Sequence, residues 1–336
     1  MEYLELLRIP FLIALVASLF FTPLCRGAAR RLGVLDTPGL RKIHTQPVPM
    51  MGGVAILAAF GTGLLLSAAS HQGLWGILLG TLLLFILGLM DDVRGVGPWT
   101  KLGGQVAAAS IAIAAGVQIS FLGSPYLNIP LTLLWIVAIT NAFNLLDNMD
   151  GLSAGLAAIS AATFALLAAR YQALGPEQPP TAAAGAALAG ACLGFLRYNL
   201  YRATIFMGDS GSLALGFLLA CLAAFGSWRS PTVPTSILIP LLVLAYPIFD
   251  ITLVVLLRWR RGHPIFQGAK DHSSHRLVNL GLDRTEVVLL IYLFALCHAS
   301  TAVLITSVTL RLSLLALAIS ASVLFIFGLI LRKVLV

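Results

Sequence analysis

Carboxylates are costly inside hydrocarbon, and a chain that is 59% hydrophobic with a mean hydropathy of +0.96 has little reason to keep them idle. Five of them lie at the ends of apolar runs: Asp91 and Asp92, Asp147 and Asp150, and Asp209. Adjacent carboxylates such as Asp91-Asp92 repel one another and raise the affinity for a cation. One can hold Mg²⁺, which takes one or two carboxylates plus phosphate oxygens and water, while the other acts as a base. Plain capping explains the pair poorly, because acid at the C-terminal end of the run LLLFILGLM opposes the helix macrodipole. In NAFNLLDNMDGLSAG, Asn141, Asn144, Asp147 and Asp150 recur every third residue along one drifting helical stripe, and Asn148 joins it four residues after Asn144. Helix packing can satisfy the two amides. It does not account for two aspartates and Gly151 at the exit. In FMGDSGSLALGF, Asp209 precedes a helix start whose free N–H groups can hold phosphate, with Asp209 or Ser210 as N-cap.

Two basic stretches complete the set. DTPGLRKIHTQPVPMMGG, residues 36–53, places Arg41, Lys42 and His44 among stiffening prolines and permissive glycines. It reads equally as an anionic-headgroup clamp and as an ordinary juxtamembrane loop. RWRRGHPIFQGAKDHSSHRLVNLGL, residues 258–282, holds His263, His272 and His275 with Arg258, Arg260, Arg261, Lys270 and Arg276. Histidines three apart can bind zinc, but no cysteine or third spaced ligand supports it, and the surrounding cations suit phosphate better. Cys25, Cys192, Cys221 and Cys297 occur singly without metal-ligand spacing.

The elements that must position these residues are membrane helices. A span needs roughly 20 apolar residues. Eleven candidates fit: 7–25, 50–70, 74–90, 103–122, 130–146, 153–170, 182–199, 211–227, 234–257, 286–308 and 313–331. The expected fold is therefore an all-α, polytopic membrane protein, since open-ended helices satisfy their own backbone in lipid. Grouping alternate loops puts seventeen Lys and Arg on one side and four on the other. The positive-inside rule makes the first side cytoplasmic, with the N-terminus outside and the C-terminus inside. Glu2 and Glu5 precede the first run without a basic region or cleavage pattern, so no removable signal is expected. No block is long enough to build a soluble core. The reading is one membrane catalytic domain, 1–336, with its site built from inward stretches 26–49, 91–102, 147–152, 200–210 and 258–285. Much of the +8 net charge is the inside signal and attraction to membrane lipid. Basic residues confined to short loops argue against nucleic acid.

Taken in order, DTPGLRKIHTQPVPMMGG, LGLMDDVRG, NAFNLLDNMDGL, FMGDSGS and the histidine-bearing last loop resemble the polyprenyl-phosphate N-acetylhexosamine-1-phosphate transferases. The resemblance spans residues 36–282. It implies transfer of a sugar-1-phosphate from a UDP-N-acetylhexosamine to undecaprenyl phosphate, with release of UMP and use of Mg²⁺ (Mn²⁺ as a substitute). It implies Asp91 and Asp92 as the catalytic pair, with Asp92 and Asp209 on the metal. Asn144, Asp147 and Asp150 would hold the uridine or nearby groups. Lys42 and His44 would serve phosphate or lipid-headgroup binding, and His272, His275 and Arg276 the sugar nucleotide. The phospho-MurNAc-pentapeptide branch carries consecutive histidines in the last loop. Here the loop reads DHSSHRL, which places the chain nearer the GlcNAc-1-phosphate branch of cell-envelope polysaccharide synthesis in the bacterial inner membrane. A homodimer suits a polytopic enzyme, but no sequence feature demonstrates one.

A transporter is the competing class. Transporters tend to place ionisable groups near the midplane on interrupted helices with inverted repeats. This chain has no internal repeat, and its ten carboxylates from Asp36 to Glu286 fall on one side, while Glu2, Glu5 and Glu177 do not.

Overall fold

The computed structural model describes residues 2–37, 46–67, 71–120, 124–171, 174–228, 237–262 and 271–334. These form two compact units, residues 1–227 and 228–336. The first unit holds α1 (Glu2–Leu32), β1 (Leu35–Asp36), β2 (Val48–Pro49), α2 (Gly52–Leu65), α3 (Gln72–Arg94), α4 (Pro98–Ala114), α5 (Pro125–Leu146), α6 (Leu152–Arg170), α7 (Gln178–Asn199) and α8 (Gly208–Phe225). The second holds α9 (Leu238–Val243), α10 (Ala245–Arg261), α11 (Ser273–Asn279), α12 (Arg284–Leu304) and α13 (Leu310–Leu331).

Among the described residues, eight helices are long and apolar enough to cross a membrane: α1, α3, α5, α6, α7, α8, α12 and α13. Each of the eleven expected runs overlaps helix among the described residues, but three fall short of that length. α2 has 14 residues and α4 has 17. The run 234–257 is broken at Leu244 into α9 and α10. Proline explains the break. Pro240 and Pro247 each sit in a first turn, where a missing N–H costs nothing, whereas Pro247 inside one continuous helix would clash with the preceding turn.

In the first unit, α8 is buried over 89% of its most apolar window and α1 over 22%, so α8 is the core helix and α1 lies at the rim. α8 packs on α3 and α5, and α7 packs on α1 and α6. The exposed Leu12, Val16 and Phe20 of α1 suit contact with lipid. The Ser18 hydroxyl fixes α1 to α7 through the Ala191 carbonyl, 2.7 Å away.

Two local features depart from the expectation of helices joined by loops. β1 and β2 make a short antiparallel ladder, and Met50 bridges to Phe206. The backbone N–H groups of Gly52 and Gly53 donate to the carbonyls of Phe206 and Met207, each at 2.9 Å. The stretch that leads into α2 thus braces the entry to α8. Helices also run further than hydropathy suggests. α1 continues to Leu32 and carries Arg26, Arg30 and Arg31 on helix, because Arg and Ala are good helix formers once a helix is under way.

Candidate active site

Asp91 and Asp92 lie inside the last turn of α3, not beyond it. Gly95, at φ +70°, ends the helix, and the Asp91 carboxylate accepts the Val96 N–H in the turn that follows. Pro98 then opens α4, which carries Lys101 in its first turns. The start of α8 approaches α3 closely. A Cβ on Gly88 would stand 2.5 Å from the Asp209 carbonyl and from Ser210 backbone atoms, so only glycine fits there. Gly208 turns into α8 at φ +76°.

Asp92 holds this junction. Its two carboxylate oxygens accept the N–H groups of Asp209 at 2.7 Å and Ser210 at 3.1 Å. This corrects the expectation that those N–H groups are free for phosphate: a carboxylate 117 positions away in sequence caps them, at the positive end of the helix dipole.

Lys101 bridges the carboxylates of Asp91 and Asp209 with its ammonium. Burial works against that charge, but its bonds to Asp209 and Asp91 outweigh it and raise the lysine above its ordinary pKa. The Asn144 amide donates to Asp209 Oδ1 at 3.1 Å and to Ser212 Oγ at 2.9 Å, which joins α5 to the group. Side-chain exposures of 13% for Asp91 and 30% for Asp209 leave the cluster reachable. Lys101 escaped the sequence reading because it looked like one more inside cation. The readable signal was its place in the first turns of a helix just after the acidic pair.

The expected stripe from Asn141 to Asp150 does not survive as one face, because α5 ends at Leu146. Asn141 pairs with the buried Gln105 of α4 in a reciprocal amide contact, at 2.6 and 3.2 Å, and so packs helices. Asp147 is the C-cap residue. Burial pushes its carboxyl up to about 8, reinforced by the charges of Asp209, Asp92 and Asp150. Asp150 accepts the Ala203 N–H at 2.8 Å. Beside it, the Asn199 amide accepts the Gly151 N–H and donates to the Ile205 carbonyl. Together they build the turn in which Tyr201 and Arg202 take left-handed φ values of +42° and +58°. Lys42 and His44 lie outside the described residues.

The second unit gathers its own polar group. Arg258 of α10 makes a bidentate pair with Asp271, 2.6 Å at each contact. Burial alone would raise the Asp271 carboxyl, but Arg258 lowers it below the usual carboxylate range. His272 Nδ1 contacts Asp250 Oδ2 at 2.7 Å, and the two imidazoles of His272 and His275 lie 6.2 Å apart. Arg276 is fully buried. Its guanidinium donates to the Asp271 carbonyl and, at the end of α13, to the carbonyls of Leu331 and Val334. Asp250 was not singled out from sequence, although a carboxylate inside AYPIFDITLVVLL is the signal that would have found it.

The first cluster suits Mg²⁺. Its donors are hard carboxylate oxygens, and Lys101 marks a point between Asp91 and Asp209 where positive charge is already stabilised. Burial first, and then the nearby charges of Asp209, Asp92 and Asp150, hold the Asp147 carboxyl above its ordinary value. Among the described residues, no three His, Cys, Asp or Glu side chains converge as a ready cage. Mg²⁺ needs none, since it commonly keeps water and phosphate oxygens.

Comparison with known proteins bears on the same residues. Residues 74–227, which include all of this cluster, match the family model described as glycosyl transferase family 4. The chain is 35% identical to a probable undecaprenyl-phosphate N-acetylglucosaminyl 1-phosphate transferase of Bacillus subtilis, over 91% of this chain and 87% of the relative. It is 33% identical to a decaprenyl-phosphate N-acetylglucosaminephosphotransferase of Mycobacterium tuberculosis, over 84% and 78%. It is 27% identical to an undecaprenyl-phosphate alpha-N-acetylglucosaminyl 1-phosphate transferase of Escherichia coli K12, over 86% and 82%. With that coverage, and with the acidic cluster inside the matched region, the chain belongs to the polyprenyl-phosphate N-acetylhexosamine-1-phosphate transferase family.

Proposed function

We propose that this protein transfers GlcNAc-1-phosphate from UDP-GlcNAc to undecaprenyl phosphate and releases UMP, as the first membrane step of cell-envelope polysaccharide synthesis. In this reading the whole chain is one catalytic domain of eleven spans in the bacterial inner membrane, with the site facing the cytoplasm. The observation that carries it is the Lys101 bridge between Asp91 and Asp209. Among the described residues, the one cation in contact with these carboxylates is outnumbered by them, which suits a site that takes up a metal together with phosphate groups.

An oxygen of the lipid phosphate attacks the phosphorus that bears the sugar. The bond from that phosphorus to the bridging oxygen breaks, and the oxygen leaves with UMP. Both reactants are anionic, so the site must neutralise charge before they can meet. Mg²⁺, held by Asp209 with Asp91 or Asp92, would polarise the phosphoryl oxygens and stabilise the leaving group. Lys101 supplies a fixed cation beside the same oxygens. Asp91 lines the place where the lipid phosphate would arrive and orients it or takes its proton. Asp92 keeps Asp209 in register by holding the start of α8. Asn144 orients Asp209 and presents an amide for the uridine or the pyrophosphate.

The test is a transfer assay on purified protein with undecaprenyl phosphate, Mg²⁺ and labelled UDP-GlcNAc, with UDP-GalNAc and UDP-MurNAc-pentapeptide in parallel. The expected result is a chloroform-soluble product and one UMP per transfer from UDP-GlcNAc, both abolished by EDTA and restored by Mg²⁺. Folded protein that makes no lipid product from any of the three donors overturns the proposal. Product from another donor corrects the sugar.

A further inference from the structure

Asp209 is the second residue of α8, and the backbone around it is held by the backbones of two other helices. One is α2. The first N–H groups of a helix have no partner within it, and α2 gives two of them to the segment that leads into α8. The Gly52 N–H donates to the Phe206 carbonyl and the Gly53 N–H to the Met207 carbonyl, each at 2.9 Å. The Phe206 N–H returns a bond to the Pro49 carbonyl at 2.8 Å. Beside these bonds the two chains meet through a pair of glycines. A Cβ on Gly53 would stand 2.4 Å from the Gly211 nitrogen and 2.6 Å from its Cα, and a Cβ on Gly211 would stand 2.9 Å from the Gly53 Cα. The other helix is α3, whose Gly88 meets the Asp209 carbonyl and Ser210. Asp92, one turn further along α3, caps the same residues.

We propose that Gly53 is a positioning residue for the metal site: its missing side chain lets α2 seat directly on Gly211 and so sets where the Asp209 carboxylate stands relative to Asp91 and Lys101. The reason is stiffness. Where side chains fill a contact, a rotamer change can absorb a displacement. Backbone set against backbone passes the displacement on. Contacting heavy atoms prefer about 3.5 Å or more, so the start of α8 must back away by about 1 Å to admit an alanine at position 53. Asp209 lies two residues from Gly211 in the same helix and moves with it. A working ligand set tolerates misplacement of only about 0.5 Å. The inference rests on the reading of Asp209 as a metal ligand made above.

Mn²⁺ is the probe, followed through the loss of its free-ion electron paramagnetic resonance signal on titration into purified protein, with and without UMP. Gly53→Ala should weaken Mn²⁺ binding about 10-fold, and Gly88→Ala should do the same from α3. In transfer assays the Mg²⁺ needed for half the maximal rate should rise by a similar factor, while the rate at saturating Mg²⁺ stays within a few-fold of wild type. Gly185→Ala is the control. A Cβ there would stand 2.8 Å from the Ala161 carbonyl, in the contact between α6 and α7. It should lower the melting temperature by a few degrees, as the other two should, and leave Mn²⁺ binding unchanged.

Hydrogen exchange on wild-type protein decides the matter even if no variant folds. Mg²⁺ should slow the amides of Gly52 and Gly53 together with those of Asp209 and Ser210, because both pairs hold the start of α8. Protection confined to Asp209 and Ser210 overturns the inference. So does Mn²⁺ binding at wild-type strength in folded Gly53→Ala, or an equal loss in Gly185→Ala, which would make the effect one of general stability. Wild-type protein that neither takes up Mn²⁺ nor gains protection sinks the metal role of Asp209 itself, and the inference with it.

Discussion

The two polar groups of this molecule differ in how their charge is balanced. In the first unit, Asp91 and Asp209 share the ammonium of Lys101, and Asp92, Asp150 and Asp209 lie close enough to Asp147 to disfavour its charge. In the second, each charge has its own partner: Arg258 has Asp271, His272 has Asp250, and Arg276 has three backbone carbonyls. A balanced pair holds a structure in place. A surplus of one sign waits for something to bind, which is why perturbed acids point to function. The acidic cluster is the part that reads as chemistry, and the histidine-bearing group as the part that reads as structure.

That contrast is broken most directly at Asp209. Asp209→Asn keeps the shape and removes a charge from the cluster that would hold the metal. We expect UMP release to fall by about 10³-fold or more, with the protein still folded. Full activity in the folded variant would remove the cluster from the reaction. At the second group, Asp271→Ala should act on stability first. It strands the Arg258 guanidinium, whose side chain is 8% exposed, and should cost about 3 kcal/mol, measured as a drop in melting temperature. Arg258→Met with Asp271→Leu should recover most of that loss. If the pair were a catalytic charge, the double variant would regain stability and stay inactive.

Asp147 sharpens the idea of surplus charge. Its folded pKa of about 8 lies above the ordinary carboxylate value, so the folded state holds a proton that the unfolded state releases. Stability from this group is complete in acid and is lost as pH rises toward 8. Asp147→Asn should therefore raise the melting temperature of EDTA-treated protein by a few degrees at pH 8 and by little at pH 4. Mg²⁺ should shrink the difference by neutralising the neighbours that disfavour the charge. An equal effect at both pH values would mean that neither burial nor the neighbouring acids hold this carboxyl up.

Much of this was legible in the sequence. Apolar runs gave the helices, and the acidic ends of those runs gave Asp91, Asp92 and Asp209. The errors share one cause: hydropathy locates where lipid contact ends but not where a helix ends. So Asp91 and Asp92 looked like residues after α3 when they are within it. Asp150 looked helical when α5 had already stopped. Pairing across the fold was hidden for a different reason. Lys101 with Asp209 and Asp92 with the start of α8 each join positions more than 100 residues apart, and no periodicity encodes that. Asp250 was missed because an isolated carboxylate in a long apolar run looks accidental until its partner is seen.

The smallest expected effect separates two asparagines that look equivalent in NAFNLLD. Asn141 is bonded to Gln105, and Asn144 to Asp209 and Ser212. The first pair joins α4 to α5, and an interhelical side-chain bond of this kind is worth about 0.6 kcal/mol. Gln105→Leu leaves the Asn141 amide short of a partner, so its cost should be a little larger, about 1 kcal/mol, and should appear only in thermal unfolding. The KM for UDP-GlcNAc should not move. Asn144→Leu touches Asp209, so it should raise KM or lower kcat several-fold at a similar cost in stability. If Gln105→Leu changed the kinetics as much as Asn144→Leu, the polar face of α5 would act as one unit. The division between packing amide and site amide, drawn here from their partners alone, would then be wrong.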